Sequence, residues 1–218
     1  MNTLIEFDRS LITGDPGKRF VAGFDEAGRG PLAGPLSVAV YIADPFGDMV
    51  DGVNDSKKLS AKDREQLFSL LTLKALYWKQ MFIDPEEIDK LNIYRATQTA
   101  MERLCFDIPE QFRRDCVVIT DAMPLRGTTN TLAVVKADAR SYSVAAASVI
   151  AKVLRDKRMQ ELAQQYPDYG FEQHKGYPTP GHLAVLRKIG PTPVHRMSYA
   201  PVRDALQNNE RTLFPPDR

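Results

Sequence analysis

An α/β fold, a mixed β-sheet flanked by helices with a small helical appendage towards the C-terminus, is what this 218-residue sequence predicts. Three observations carry that expectation. Short apolar, β-rich runs (Phe20 to Phe24, Leu36 to Ile42, Cys116 to Thr120, Leu132 to Val135) alternate with stretches of helical spacing. Three of those runs finish in or just before a carboxylate: Asp25 with Glu26, Asp121, and Asp138. A long stretch from Ser141 to Gln165 carries Ala145, Ala146, Ser148 and Ala151, small residues that let a helix lie close against a sheet.

Taken in order, residues 1–18 contain Gly14, Asp15, Pro16 and Gly17 and read as an irregular leader. Residues 19–170 read as the main domain, and 171–218 as a helical and loop region packed on that same domain. Strand one covers Arg19 to Asp25, and Leu36 to Ile42 forms the second. Ser60 with Asp63 resembles a capping box, opening a helix with Leu67, Leu70 and Leu71 on one face. A third strand lies within Leu73 to Ile83, followed by a helical turn from Pro85 to Lys90. Ile93, Ala96, Ala100, Met101 and Leu104 have helical spacing. Cys116 to Asp121 is apolar on both faces, as a central strand of a mixed sheet should be, and ends on a carboxylate; Leu132 to Lys136 repeats that ending and is followed by Asp138. The second half of the long helix bears Lys152, Arg155, Lys157 and Arg158, by default a solvated face. Gly181 to Ile189 forms a further helix, and the tail past Leu213-Phe214 is frayed.

Composition narrows the function classes. The net charge of +1 gives no global pull on nucleic acid, so such a partner would be met by a local patch. Cys105 and Cys116 sit among apolar neighbours, which suits buried thiols in a reducing compartment. The N-terminus lacks a signal-peptide pattern, and no run approaches the roughly 20 apolar residues of a membrane span. The expectation is a soluble, cytoplasmic monomer without a membrane partner.

The chemistry concentrates around Val21 to Gly34. There an apolar strand delivers Asp25 and Glu26 to its end, and Gly28-Arg29-Gly30 follows, able to approach a ligand closely. In an α/β sheet strand ends gather in one crevice, so Asp25, Glu26, Asp121 and Asp138 can meet. Carboxylates at short range repel, and two Mg²⁺ or Mn²⁺ ions are the simplest compensation for an all-oxygen set. Such a pair, about 3.5–4 Å apart, brackets a scissile phosphate and suits direct attack by water. Read individually, the same acids could instead cap helices or bind lysines. Lys57 and Lys58 fit either a phosphate contact or a solvated approach to a helix. His174, His182 and His195 have no zinc-like spacing and read as structural.

Beyond these residues, AGFDEAGRGPLAGP, NDSKKLS, ITDA, VKADARS, AAASVIAKVLRD, HKGYPTPGH and GPTPVHRMSYAPV occur in that order, and the chain resembles ribonuclease HII, the type 2 ribonuclease H family, from about Phe20 to Val202. The resemblance implies a ribonuclease H-like fold and a metal site of Asp25, Glu26, Asp121 and Asp138. Arg155-Asp156 does not supply the fourth acid, because it lies about four to five turns into a helix, far from a strand end. The resemblance further implies that backbone groups of Gly28, Arg29 and Gly30 read a 2′-hydroxyl. It also implies that Tyr177 stacks on the neighbouring deoxyribose, with Lys57 and Lys58 on phosphates. Alanine stands at 122 and 137, where many members have glycine.

The implied activity is metal-dependent endonucleolytic hydrolysis of RNA in RNA–DNA hybrids, cutting 5′ of single ribonucleotides embedded in duplex DNA. Two alternatives accompany it: a non-catalytic nucleic-acid-binding module of the same fold, and a ribonuclease HIII-like enzyme acting on longer RNA tracts. Leu213-Phe214 also resembles a short sliding-clamp-binding peptide.

Overall fold

The computed structural model describes residues 3–127 and 131–213, with side chains up to residue 207. In chain order the elements are α1 (Thr3–Thr13), β1 (Phe20–Ala27), β2 (Leu36–Ala43), α2 (Ala61–Lys74), β3 (Tyr77–Ile83), α3 (Pro85–Leu91), α4 (Ile93–Asp107) and α5 (Glu110–Arg113). Then follow β4 (Cys116–Asp121), β5 (Thr131–Val134), α6 (Tyr142–Gln165), α7 (Phe171–His174), α8 (Pro180–Ile189) and α9 (Ala200–Leu213).

The chain divides into two compact units. The first comprises Met1–Ala27, Ser37–Met81 and Thr97–Val153, and the second Gly28–Leu36, Phe82–Ala96 and Leu154–Arg218. The division falls inside α6, and the second unit is assembled from three segments distant in sequence.

The first unit holds the sheet, in the order β3-β2-β1-β4-β5. β1 pairs antiparallel with β2 and parallel with β4, and β5 runs parallel to β4. β1 and β4 are apolar on both faces because both faces are covered. Val21, Val117, Ile119, Ala137, Val144 and Ile12 form one packed cluster. A Cβ at Gly23 would fall 2.2 Å from the Ser143 carbonyl carbon, so the first turn of α6 lies directly on β1. Only glycine permits that approach.

The leader expected to be irregular is helical from Thr3 to Thr13. Its turn residues follow the helix instead of dissolving it, and the face bearing Leu4, Phe7, Leu11 and Ile12 is covered. Asp8 on this helix is fully buried and accepts hydrogen bonds from the Ser143 N–H (2.9 Å) and hydroxyl (2.8 Å), capping α6. Burial pushes its carboxyl up to about 6.

Three smaller expectations also shift. β1 extends through Glu26 to Ala27, so both acids belong to the strand itself. The third strand begins only at Tyr77, because Leu73 and Lys74 belong to α2. Ser60 does cap α2 by accepting from the Asp63 N–H, and Leu67 and Leu71 are buried, but Leu70 is exposed.

In the second unit, Ala33, Met159, Leu162, Tyr169 and Phe171 make one cluster, and Leu32, Leu186, Val202 and Ala205 another. Among the described residues no helix is long and apolar enough to cross a membrane. The Leu213-Phe214 clamp-binding candidate lies outside the residues whose side chains are described.

Candidate active site

The four acids lie at the same end of the sheet, Asp25 and Glu26 near the end of β1, Asp121 at the end of β4 and Asp138 in the turn after β5. Phe24 pairs with Thr120, which sets Asp25 and Asp121 side by side on adjoining parallel strands. Asp25 is buried, and its Oδ1 accepts the Glu26 N–H at 2.8 Å. Burial first, then the charges of Glu26 and Asp121, hold its carboxyl well above the usual range, against the pull of a Ser148 hydrogen bond. Asp121 Oδ1 accepts the Ala137 N–H at 2.9 Å, tying the end of β4 to the turn that carries Asp138. Asp138 is buried and takes an ion pair from Lys57 Nζ at 3.1 Å.

Burial lowers the Lys57 pKa, but the carboxylates of Asp138, Asp55 and Asp25 outweigh it and the net shift is upward. Lys57 thus places a positive charge beside Asp138 while its side chain stays largely exposed. Lys58 closes the same short turn, its N–H donating to the Asp55 carbonyl at 2.9 Å.

Two serines belong to this site that the sequence reading missed. Ser148 on α6 hydrogen-bonds Asp25, and Ser56 meets Ser148 at 2.8 Å between hydroxyls. Both stand in the motifs NDSKKLS and AAASVIAK, but a serine among alanines looks like a packing residue until the helix is laid on the strand.

The donor set is all oxygen and rich in negative charge, which fits a hard divalent cation. Among the described residues, however, no three His, Cys, Asp or Glu side chains stand as a ready-made metal-holding group. A separate cavity of about 740 Å³, lined by Lys18, Cys105, Phe106, Arg113, Cys116 and Arg126 among others, contains none of the four acids. The two thiols are free and buried, and burial pushes Cys116 up to about 12.

The departure at Ala122 has a cost, since its φ is 53° in the left-handed region. Ala137 does not share it; there the left-handed residue is Lys136.

In the second unit Gly28, Arg29, Gly30 and Tyr177 converge. Gly28 has φ +98°, and a Cβ on it would lie 2.0 Å from Arg155 Nε. Gly30 is different: a Cβ there would meet only Tyr177 Cε1, at an ordinary 3.7 Å. The protein's own packing demands the first glycine and not the second. Tyr177 is exposed, with Arg155 over its ring at 5.9 Å.

A chain of imidazoles holds Tyr177 from behind. His182 Nδ1 donates to the Tyr177 carbonyl at 2.9 Å, so its Nε2 accepts from His195 Nε2 at 3.1 Å. His195 Nδ1 in turn accepts from Thr192 N–H at 3.1 Å. Burial, then the neighbouring His182, lowers His195 to about 3, keeping this chain neutral. The histidines are structural, as expected. Arg155, expected on a solvated face, is fully buried, because backbone carbonyls take its hydrogen bonds.

The family model for ribonuclease HII matches residues 22–202. A ribonuclease HII of Xanthomonas oryzae is 44% identical over 208 residues, covering 94% of this chain and 81% of that protein. One of Xylella fastidiosa is 47% identical, covering 85% and 79%. The crystal structure of ribonuclease H2 from Pyrococcus horikoshii superposes with a TM-score of 0.71 at 28% identity, covering 88% of this chain and 99% of that one. The Archaeoglobus fulgidus enzyme, solved as a PCNA:RNase HII complex, gives 0.65 at 27%, covering 83% and 95%.

Proposed function

The chain belongs to the ribonuclease HII family and is a metal-dependent nuclease of the ribonuclease H class; we propose that its particular reaction is cleavage on the 5′ side of ribonucleotides in RNA–DNA hybrids and of single ribonucleotides embedded in duplex DNA. The observation that carries this reading is the register placing Asp25 and Asp121 level on adjoining strands, with Asp138 drawn in through Lys57. The family also acts on RNA–DNA hybrids, so a purely binding role for the fold is set aside.

In this reading Asp25, Glu26, Asp121 and Asp138 hold the divalent ions, Mg²⁺ or Mn²⁺. When bound, a pair of such ions lowers the pKa of the attacking water and stabilises the leaving oxygen. The chain's own residues do the rest. Ser148 and the Glu26 N–H hold Asp25 in place. Lys57 offsets the acids' mutual repulsion, and Lys58, on the same turn, meets the phosphate backbone. The backbone of Gly28, Arg29 and Gly30 accepts the 2′-hydroxyl nucleotide, since a bare Gly30 lets a sugar approach. Tyr177 stacks on the deoxyribose next to it, where a second 2′-hydroxyl would clash. With no side-chain nucleophile among the acids, water attacks in line and leaves 3′-hydroxyl and 5′-phosphate ends.

The test is incubation with duplex DNA carrying one ribonucleotide, in Mg²⁺, Mn²⁺ or chelator. A single cut 5′ of the ribonucleotide, abolished by chelator, is expected. A 2′,3′-cyclic phosphate product, or no cut, would refute the proposal. The Archaeoglobus complex with PCNA supports a second proposal, that the C-terminal tail binds a sliding clamp. Loss of clamp capture on deleting residues 208–218 is the expected result, and unchanged capture would exclude it.

A further inference from the structure

We propose that Arg196 is a positioning residue that turns the Gly28-Arg29-Gly30 backbone to present N–H donors to the substrate, with Arg155 packed against Gly28 and holding the Ala33 and Pro35 carbonyls. The proposal rests on the sugar-reading role given above to that loop. Both guanidinium groups are fully buried. Among the described residues neither is paired with a carboxylate; their partners are main-chain carbonyls and one phenol. Arg196 Nη2 donates to Gly28 O at 2.6 Å and Gly34 O at 3.0 Å, and its Nη1 to Arg29 O at 2.8 Å and the Tyr199 hydroxyl at 3.0 Å. Arg155 Nε donates to Pro35 O at 3.0 Å, and its Nη2 to Ala33 O at 3.3 Å and Lys175 O at 3.1 Å. The Tyr199 hydroxyl also donates to Arg29 O at 2.7 Å.

The consequence follows from peptide geometry. A trans peptide sets its C=O and N–H antiparallel. With the carbonyls of Gly28 and Arg29 drawn inward onto Arg196, the N–H groups of Arg29 and Gly30 are turned the opposite way. Successive outward N–H groups form a concavity suited to an oxygen ligand. The Gly30 N–H donates to no acceptor among the described residues.

Two like charges buried together are costly, and carbonyl dipoles offset this only in part. Such an arrangement has a use if it gives a backbone loop both a fixed orientation and a positive potential toward a phosphodiester. Lysine cannot replace either residue, because one ammonium cannot span carbonyls on both sides of the loop.

The experiment compares Arg196→Lys and Tyr199→Phe with the wild type on two substrates, duplex DNA with one ribonucleotide and a hybrid with an all-RNA strand. Thermal unfolding is followed in parallel. Arg196→Lys should raise KM on the embedded ribonucleotide at least about tenfold while kcat changes less than about threefold. Tyr199→Phe, which keeps both arginines, should raise the same KM about threefold with unfolding little changed. Wild-type KM in both variants overturns the proposal. So does a fall in kcat alone, or equal losses on the two substrates that track lowered stability. If the wild type itself does not cut at the embedded ribonucleotide, the underlying sugar-reading role fails instead, and the two failures are distinct.

Discussion

The acidic end of the sheet and the glycine loop are built on opposite electrostatic plans. At the sheet end, Asp25, Glu26, Asp121 and Asp138 crowd negative charge with Lys57 as a counter-ion. In the loop, two buried arginines supply positive charge, and neutral carbonyls take their hydrogen bonds. The first arrangement suits cations and the second suits an anionic backbone carrying hydroxyls. On the proposed function, the chemistry lies in side chains at one site and in oriented peptide groups at the other. Mutations should therefore behave differently at the two.

The largest effect is expected at the acids. Asp25→Asn should lower single-turnover cleavage at least about a thousandfold, roughly 4 kcal/mol of barrier, while anisotropy still detects substrate binding. Turnover near wild type would remove Asp25 from the metal centre.

The loop glycines should separate from one another. Gly28→Ala must displace Arg155 and adopt a strained φ, so it should lose about 2–3 kcal/mol of stability by denaturant unfolding. Gly30→Ala should unfold within about 0.5 kcal/mol of wild type yet raise KM for ribonucleotide substrates about tenfold. Equal destabilisation by the two would mean the space beside Gly30 serves packing, not ligand.

Tyr177→Ala should cost about 1–2 kcal/mol of binding, as stacked contacts with nucleic acid do, and chiefly at RNA–DNA junctions. Equal losses on all-RNA hybrids would contradict its stacking role.

The imidazole chain makes the second unit acid-sensitive. His195 titrates near 3 when folded and near 6.5 when unfolded, so between these values the unfolded state binds the extra proton. Stability should fall as pH drops through that window, by at most about 1.4 kcal/mol per unit for this one group. Melting temperature against pH should show a shallower acid loss in His195→Gln. An unchanged slope would show that His195 is not the responsible group.

The smallest effect is expected at Ala122, where relief of a left-handed φ by Ala122→Gly is partly offset by backbone entropy. The gain should not exceed about 1 kcal/mol and is measurable as a shift in denaturant midpoint.

What could be read from residues alone was whatever is written locally. The strands announced themselves by apolar runs, the cap of α2 by Ser60 and Asp63, and the acids by their place at the ends of runs. The motifs then identified the family. Even where reading failed locally, as in α1, the face bearing Leu4, Phe7, Leu11 and Ile12 was in the sequence and was outweighed by the turn residues after it. Packing alone decided the rest. Ser148 reached Asp25, and Ser56 reached Ser148, only when α6 settled on Gly23. Arg155 and Arg196 met the Gly28–Pro35 carbonyls across more than a hundred residues of chain. A charge on a helix looks solvated in one dimension; whether it is buried depends on which backbone dipoles arrive to hydrogen-bond it, and that is settled only when distant segments pack together.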